Sequence, residues 1–215
     1  MAAFPPSSAN ISNGNESIQC TSTDAAFFRT RIGPNYSKHR KKESSGPALY
    51  EVYNIRVFRT NQSFEQVAEQ LPKPTAPAEV AEVELPPHVP RFLYVTWNFP
   101  IGSPSFTRTP TSGPTFLLVF IFVVKASTAL QLRSTSELAN ASPAVKLFDS
   151  WCRDVLVNGE ENAEVKGRFK AIAGLYNLDE VNLSSLVKSY NAKPVLIKKT
   201  GSVTRGADHL EISGM

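Results

Sequence analysis

The stretch Phe116-Leu117-Leu118-Val119-Phe120-Ile121-Phe122-Val123-Val124 decides how this chain folds. Nine consecutive apolar residues, mostly β-branched or aromatic, follow Gly113-Pro114 and stop at Lys125. A membrane-spanning helix needs about 20 apolar residues, and this run is roughly half that. A strand covered on both faces fits the length and shows no polar alternation. The run therefore reads as a central buried strand, and the rest of the chain must supply two covering layers.

Working outward from it, Arg91 to Phe99 alternates well, with Leu93, Val95, Trp97 and Phe99 on one face and Phe92, Tyr94, Thr96 and Asn98 on the other. It predicts a strand with one dry face. Core aromatics are commoner than cofactor boxes, so Tyr94 and Trp97 read as packing residues. A Pro/Ser/Thr/Gly loop over 100–114 joins this strand to the central one. An antiparallel pairing needs no crossover helix there. Ala48 to Thr60 predicts a third strand, with a bulge near Asn54 where the alternation slips. A helix should follow, with Ser63 and Gln66 as a capping box, Phe64, Val67, Ala68 and Leu71 on one face, and Pro72 as the stop. Residues 71–90 hold six of the sixteen prolines and read as an excursion without regular structure.

Downstream, 126–141 reads as a polar connection. The strongest helix follows, with Ser142 as N-cap, Pro143 at the first helical position, an apolar stripe of Val145, Phe148, Cys152 and Val155, and Asn158-Gly159 as its left-handed stop. Cys152 on that stripe reads as a small buried hydrophobe. Residues 165–173 predict a weak strand, 182–190 a helix ending at Asn191, and 193–199 and 208–212 short strands. The fold class is α+β, a predominantly antiparallel sheet around strand 116–124 with two or three packing helices.

Composition bounds the function. The 215 residues suit one domain, here 25–215, behind a Ser/Asn/Ala/Pro/Gly tail at 1–24 that cannot offset its ordering entropy. A net charge of +4 makes no whole-protein case for nucleic acid. Its distribution is uneven: residues 29–42 carry six Lys or Arg and no acid, whereas 64–85 carry five Glu against Lys73 alone. Two distant cysteines make no disulfide framework, and no signal peptide or spanning segment appears. The Asn-X-Ser matches at Asn10, Asn15, Asn35, Asn61 and Asn182 then read as chance, and the expected location is cytoplasmic or peripheral to a membrane. No phosphate-binding loop, zinc spacing or nucleophile elbow is present, and the three histidines form no triad. No cofactor or metal is expected. The candidate binding residues are Lys38, Arg40, Lys41 and Lys42, a cluster suited to anionic lipid head groups or, failing a ligand, to a solvated loop.

The string Arg31-Ile32-Gly33-Pro34-Asn35-Tyr36 with Lys41-Lys42, ahead of Leu49-Tyr50, resembles the start of the plant-type Enhanced Disease Resistance 2 C-terminal domain. Further pieces agree in order: Val89 to Pro100, Gly113-Pro114 before the apolar strand, Gly167 to Ile172, Asn191 to Ile197, and Gly206 to Ile212. The resemblance spans about residues 25 to 212. It implies a domain often found behind lipid-binding pleckstrin-homology and START domains in defence and cell-death proteins, with no catalytic residues to carry over. In that family the last strand continues into a C-terminal helical segment. Here Ser213-Gly214-Met215 stands instead, so an unpaired edge at Leu210 to Ile212, and self-association, are expected. The functional expectation is a non-enzymatic regulatory domain, lipid- or membrane-associated through its basic loop. A protein-interaction scaffold is the alternative, and a small hydrolase or transferase a remote third.

Overall fold

A computed structural model describes residues 25, 28–31, 36–100, 113–172, 174, 185–196 and 201–214. The tail at 1–24 and nearly all of the 100–114 loop lie outside these residues. The chain opens with β1 (Arg29–Arg31), one helical turn α1 (Tyr36–His39) and β2 (Lys42–Ser44). Next come β3 (Tyr50–Thr60), the short helices α2 (Val67–Gln70) and α3 (Ala78–Ala81), β4 (Phe92–Pro100) and β5 (Thr115–Val124). Helices α4 (Ala126–Leu132), α5 (Thr135–Asn140) and α6 (Pro143–Asp154) precede β6 (Leu156–Val157), β7 (Glu160–Glu161), α7 (Ala163–Lys166) and β8 (Lys170–Ile172). Then follow α8 (Ser185–Tyr190), β9 (Pro194–Leu196), β10 (Ser202–Arg205) and β11 (His209–Gly214).

The main sheet has the order β10-β11-β4-β5-β3. All its pairs are antiparallel save β11 beside β4, which is parallel. The α+β class and the largely antiparallel sheet follow the sequence reading, as does the bulge, which falls between Val52 and Asn54. The apolar run lies inside the sheet, between β4 and β3, with Ile121 opposite Tyr94 and Asn54. The middle position belongs to β4. This strand is buried on both faces rather than one, because its polar side chains Thr96 and Asn98 find partners inside the fold. In β5, Leu117, Val119, Ile121 and Val123 are sealed, while Phe116 is 38% exposed opposite Arg59 of the edge strand.

A strap from 61 to 91 covers the first face, where Val67, Ala68, Leu71 and Val80 pack over Phe92, Tyr94, Leu117, Val119 and Ile121. The helix expected from Ser63 is only one turn long and starts after Gln66, which is left-handed at φ 55. Asn98 explains the delay: it accepts from the Phe64 N–H and donates to the Phe64 carbonyl, both at 3.0 Å. That side chain substitutes for a neighbouring strand and holds Phe64 out of the helix. The Pro-rich 71–90 segment differs from expectation too, for it contains α3 and buries Val80 and Val89. Prolines leave carbonyls without matching N–H donors. Side chains supply them: Arg91 donates to the carbonyls of Val80 and Val83, Arg205 to that of His88, and Tyr50 to that of Pro90.

Helix α6 leads the second layer. Ser142 caps the Val145 N–H at 3.3 Å with Pro143 behind it, and Trp151, Cys152 and Val155 pack on Leu93, Val95, Trp97, Leu210 and Ile212. The helix ends at Asp154. Asn158 (φ 54) and Gly159 (φ 82) instead turn β6 into β7, the left-handed pair a two-residue hairpin needs. The connection 126–141 forms α4 and α5. The strand expected from Val165 is preceded by α7, capped by Asn162, and shrinks to β8. The left-handed residue after α8 is Ala192, not Asn191.

The unpaired edge expected at Leu210 to Ile212 is overturned. β11 has β10 on one side and β4 on the other, and Leu210, Glu211 and Ile212 are at most 1% exposed. The parallel partner comes from far earlier in the chain, which neighbour-by-neighbour reading of the sequence does not anticipate. Among the described residues, the edges of the main sheet are β3 and β10.

Candidate functional site

The four predicted residues fall on one small structure, the ribbon formed by β1 and β2 with α1 in its connection. Arg29, Thr30 and Arg31 stand opposite Ser44, Glu43 and Lys42. The pairing extends one step inward, where the Ser45 N–H donates to the Phe28 carbonyl at 3.0 Å and the Ser45 hydroxyl to Ala25. Lys38, His39, Arg40, Lys41, Lys42 and Glu43 are all exposed. Arg40 takes the left-handed region (φ 53) and turns the chain out of α1 toward β2. Because neighbouring strand residues alternate in direction, Arg29, Lys42 and Ser44 share one face, and Glu43 lies on the other. Arg29 also donates to the Lys42 carbonyl at 3.0 Å, which ties the two strands together by a side chain. The sequence singled out Lys38 to Lys42 but not Arg29, whose place beside them is set by register across the turn.

The cations that brace the interior are others. Buried Lys166 pairs with Glu161 and donates to the Gly201 carbonyl at 2.7 Å. Arg91 pairs with Asp208 at 3.3 Å while clamping the strap, and burial lowers the pKa of Arg205, which donates to Cys152 and His88 carbonyls. The strap's His88 meets buried Asp149 of α6 at 2.7 Å, with Arg153 on the second carboxylate oxygen. Asp149–Arg153 and Glu161–Lys166 are local pairs, whereas Arg91–Asp208, His88–Asp149 and the Arg205 bonds join residues far apart in sequence, which spacing alone does not reveal.

A buried polar cluster lies on the first face of the sheet. Glu211, fully buried, accepts from the Ala68 N–H at 2.7 Å, from Ser213 at 2.9 Å and from Thr96 at 3.3 Å. Beside it Tyr94 meets His209 edge to face at 5.4 Å. Burial pushes the Tyr94 phenol up to about 12 and lowers the His209 imidazole. The carboxylate is roofed by α2, with no opening to a substrate. Burial also pushes the Cys152 thiol up, against nucleophilic use. Among the described residues, no three His, Cys, Asp or Glu groups are placed to hold a metal, and no helix is long and apolar enough to cross a membrane.

No curated protein and no solved structure matches the chain. A family does: its model, described as Protein ENHANCED DISEASE RESISTANCE 2, C-terminal, matches residues 21–213. That match takes in the ribbon, the strap, all five strands of the main sheet and both covering layers, so the chain belongs to this family.

Proposed function

We propose that this domain is a non-enzymatic regulatory module that docks on anionic membrane surfaces through Lys38, Arg40, Lys41 and Lys42. Family membership supports the regulatory part of that reading. The lipid part is carried by one observation: the ribbon presents these four residues exposed and contiguous, with Arg29 alongside. Near an anionic surface each cation contributes about 1 kcal/mol. Four of them together supply about 4 kcal/mol, roughly a thousandfold in partitioning. The docked domain would work at the periphery of a membrane.

Co-sedimentation with phosphatidylserine or phosphoinositide vesicles tests the reading, phosphatidylcholine vesicles being the control. Binding to the anionic vesicles that salt weakens is expected. No binding at low salt would discard it in favour of a protein-interaction scaffold. A second observation favours that alternative: Phe116, Leu118, Phe120 and Phe122 form an apolar row on the second face of the sheet, one of them exposed and three half-buried.

A further inference from the structure

We propose that Ser44 is a phosphorylation site for a kinase that selects hydroxyls preceded by cations, and that its phosphate discharges the basic ribbon. The first half stands on presentation and charge pattern. Arg40, Lys41 and Lys42 precede Ser44 by four, three and two residues, a pattern that suits an acidic kinase groove, since kinases select substrates by charge. Lys42 to Ser44 are extended and exposed, and β2 pairs with β1 alone among the described strands. A kinase therefore meets this segment already laid out as an extended peptide. The next serine is a poorer acceptor, because Ser45 is half-buried and its hydroxyl is engaged by Ala25. Thr60, which follows Arg59, is buried.

In the transfer, the Ser44 Oγ–phosphorus bond forms as the bond from the γ-phosphorus of ATP to its bridging oxygen breaks. ADP leaves, and the hydroxyl proton passes to the kinase's base. The new group carries about −1.5 to −2 charges. It faces Arg29 directly across the ribbon and shares that face with Lys42. Residues 29–44 carry six cations and Glu43, a net +5, which phosphorylation lowers to about +3.

The second half rests on the lipid reading above, and the experiment keeps the two apart. The full chain is incubated with Mg·ATP and a kinase selective for basic peptides, and modified residues are located by mass spectrometry. Phosphate is expected on Ser44, absent in Ser44→Ala, and formed at least about tenfold more slowly in Lys41→Gln/Lys42→Gln, by the charge argument. Modification of other residues with Ser44 untouched, or a rate indifferent to Lys41 and Lys42, would overturn the site. Phosphorylated and unmodified chains are then compared on phosphatidylserine vesicles, with weakening on the order of 30-fold expected from two added negative charges. Equal binding by both forms overturns the discharge. If even the unmodified chain ignores the vesicles, the lipid reading and the discharge fall together, while the mapped Ser44 phosphate still establishes the site.

Discussion

Replacing Glu211 by Ala and by Gln separates a buried hydrogen-bond hub from a buried charge that is merely tolerated. In Glu211→Ala the Ala68 N–H, on the inner side of the strap, loses its acceptor and stays buried. Thr96 and Ser213 remain bonded to each other at 3.0 Å, so only one of their two hydroxyls is orphaned. Each orphaned group costs about 1–3 kcal/mol, and a lost methylene adds about 0.8 kcal/mol. The gross loss is then about 3–7 kcal/mol, and relief from burying an unpaired carboxylate returns part of it, leaving about 2–4 kcal/mol. For a chain of this size that lowers Tm by about 5–15 °C. Glu211→Gln keeps an oxygen for the Ala68 N–H and turns its amide NH₂ toward hydroxyls that accept as well as donate, so it should lose less than half as much. Thermal melts by circular dichroism read the series, and amide exchange at Ala68 should quicken in the alanine variant alone. The reasoning fails if Glu211→Ala melts within about 2 °C of wild type, or if Gln costs as much as Ala.

Three further outcomes follow from the packing. Ile121→Asp places a charge where wild type is 2% exposed and should prevent folding, whereas Phe120→Asp, at a half-buried position beside Trp97, should fold with a lowered Tm; equal damage in solubility and melting assays would refute the two-faced account of β5. A Cβ at Gly206 would lie 2.2 Å from the His209 ring, so Gly206→Ala must push that ring off Tyr94 and should cost about 1–3 kcal/mol by urea unfolding, with no loss arguing against the contact. Burial lowers the His209 pKa, with Glu211, Glu69 and Asp208 opposing. The unfolded chain therefore binds more protons below about pH 6.5, and stability should rise with pH through that window and then level. His209→Phe should remove this slope in melts between pH 5 and 7, and an unchanged slope would assign it elsewhere.

Some of this architecture is written locally and some is not. The α6 helix announces itself through Ser142, Pro143 and an apolar stripe within a dozen residues, because caps and periodicity act over one or two turns. The antiparallel β4–β5 pair and the strand character of β3 follow from apolar content and alternation, while the place of β3 beside β5 is seen only in the structure. The parallel β4–β11 pair does not, since its side-chain bonds join Thr96 to Glu211 and Ser213 across more than half of the chain. The strap misleads for a related reason. Its prolines and glutamates resemble disorder until Arg91, Arg205 and Tyr50 satisfy its carbonyls from elsewhere. Asn158-Gly159 carries the same left-handed signal whether it ends a helix or turns a hairpin, and only the pairing of β6 with β7 decides. At the candidate site the cationic run was legible as a run. Its shape was not, because register across the α1 turn sets Arg29 and Ser44 face to face.

The central claim, that the ribbon is an electrostatic membrane contact, is tested most directly by the partition coefficient of the full chain on phosphatidylserine vesicles. Wild type and the Lys38→Ser, Arg40→Ser, Lys41→Ser, Lys42→Ser variant are measured side by side at low and physiological salt. The substituted positions are exposed, so both proteins should melt alike. The account predicts a loss of roughly a thousandfold in the variant at low salt and a smaller gap at physiological salt, as screening shortens the reach of each charge. Equal partitioning by both proteins, or a wild-type affinity that does not respond to salt, would contradict it.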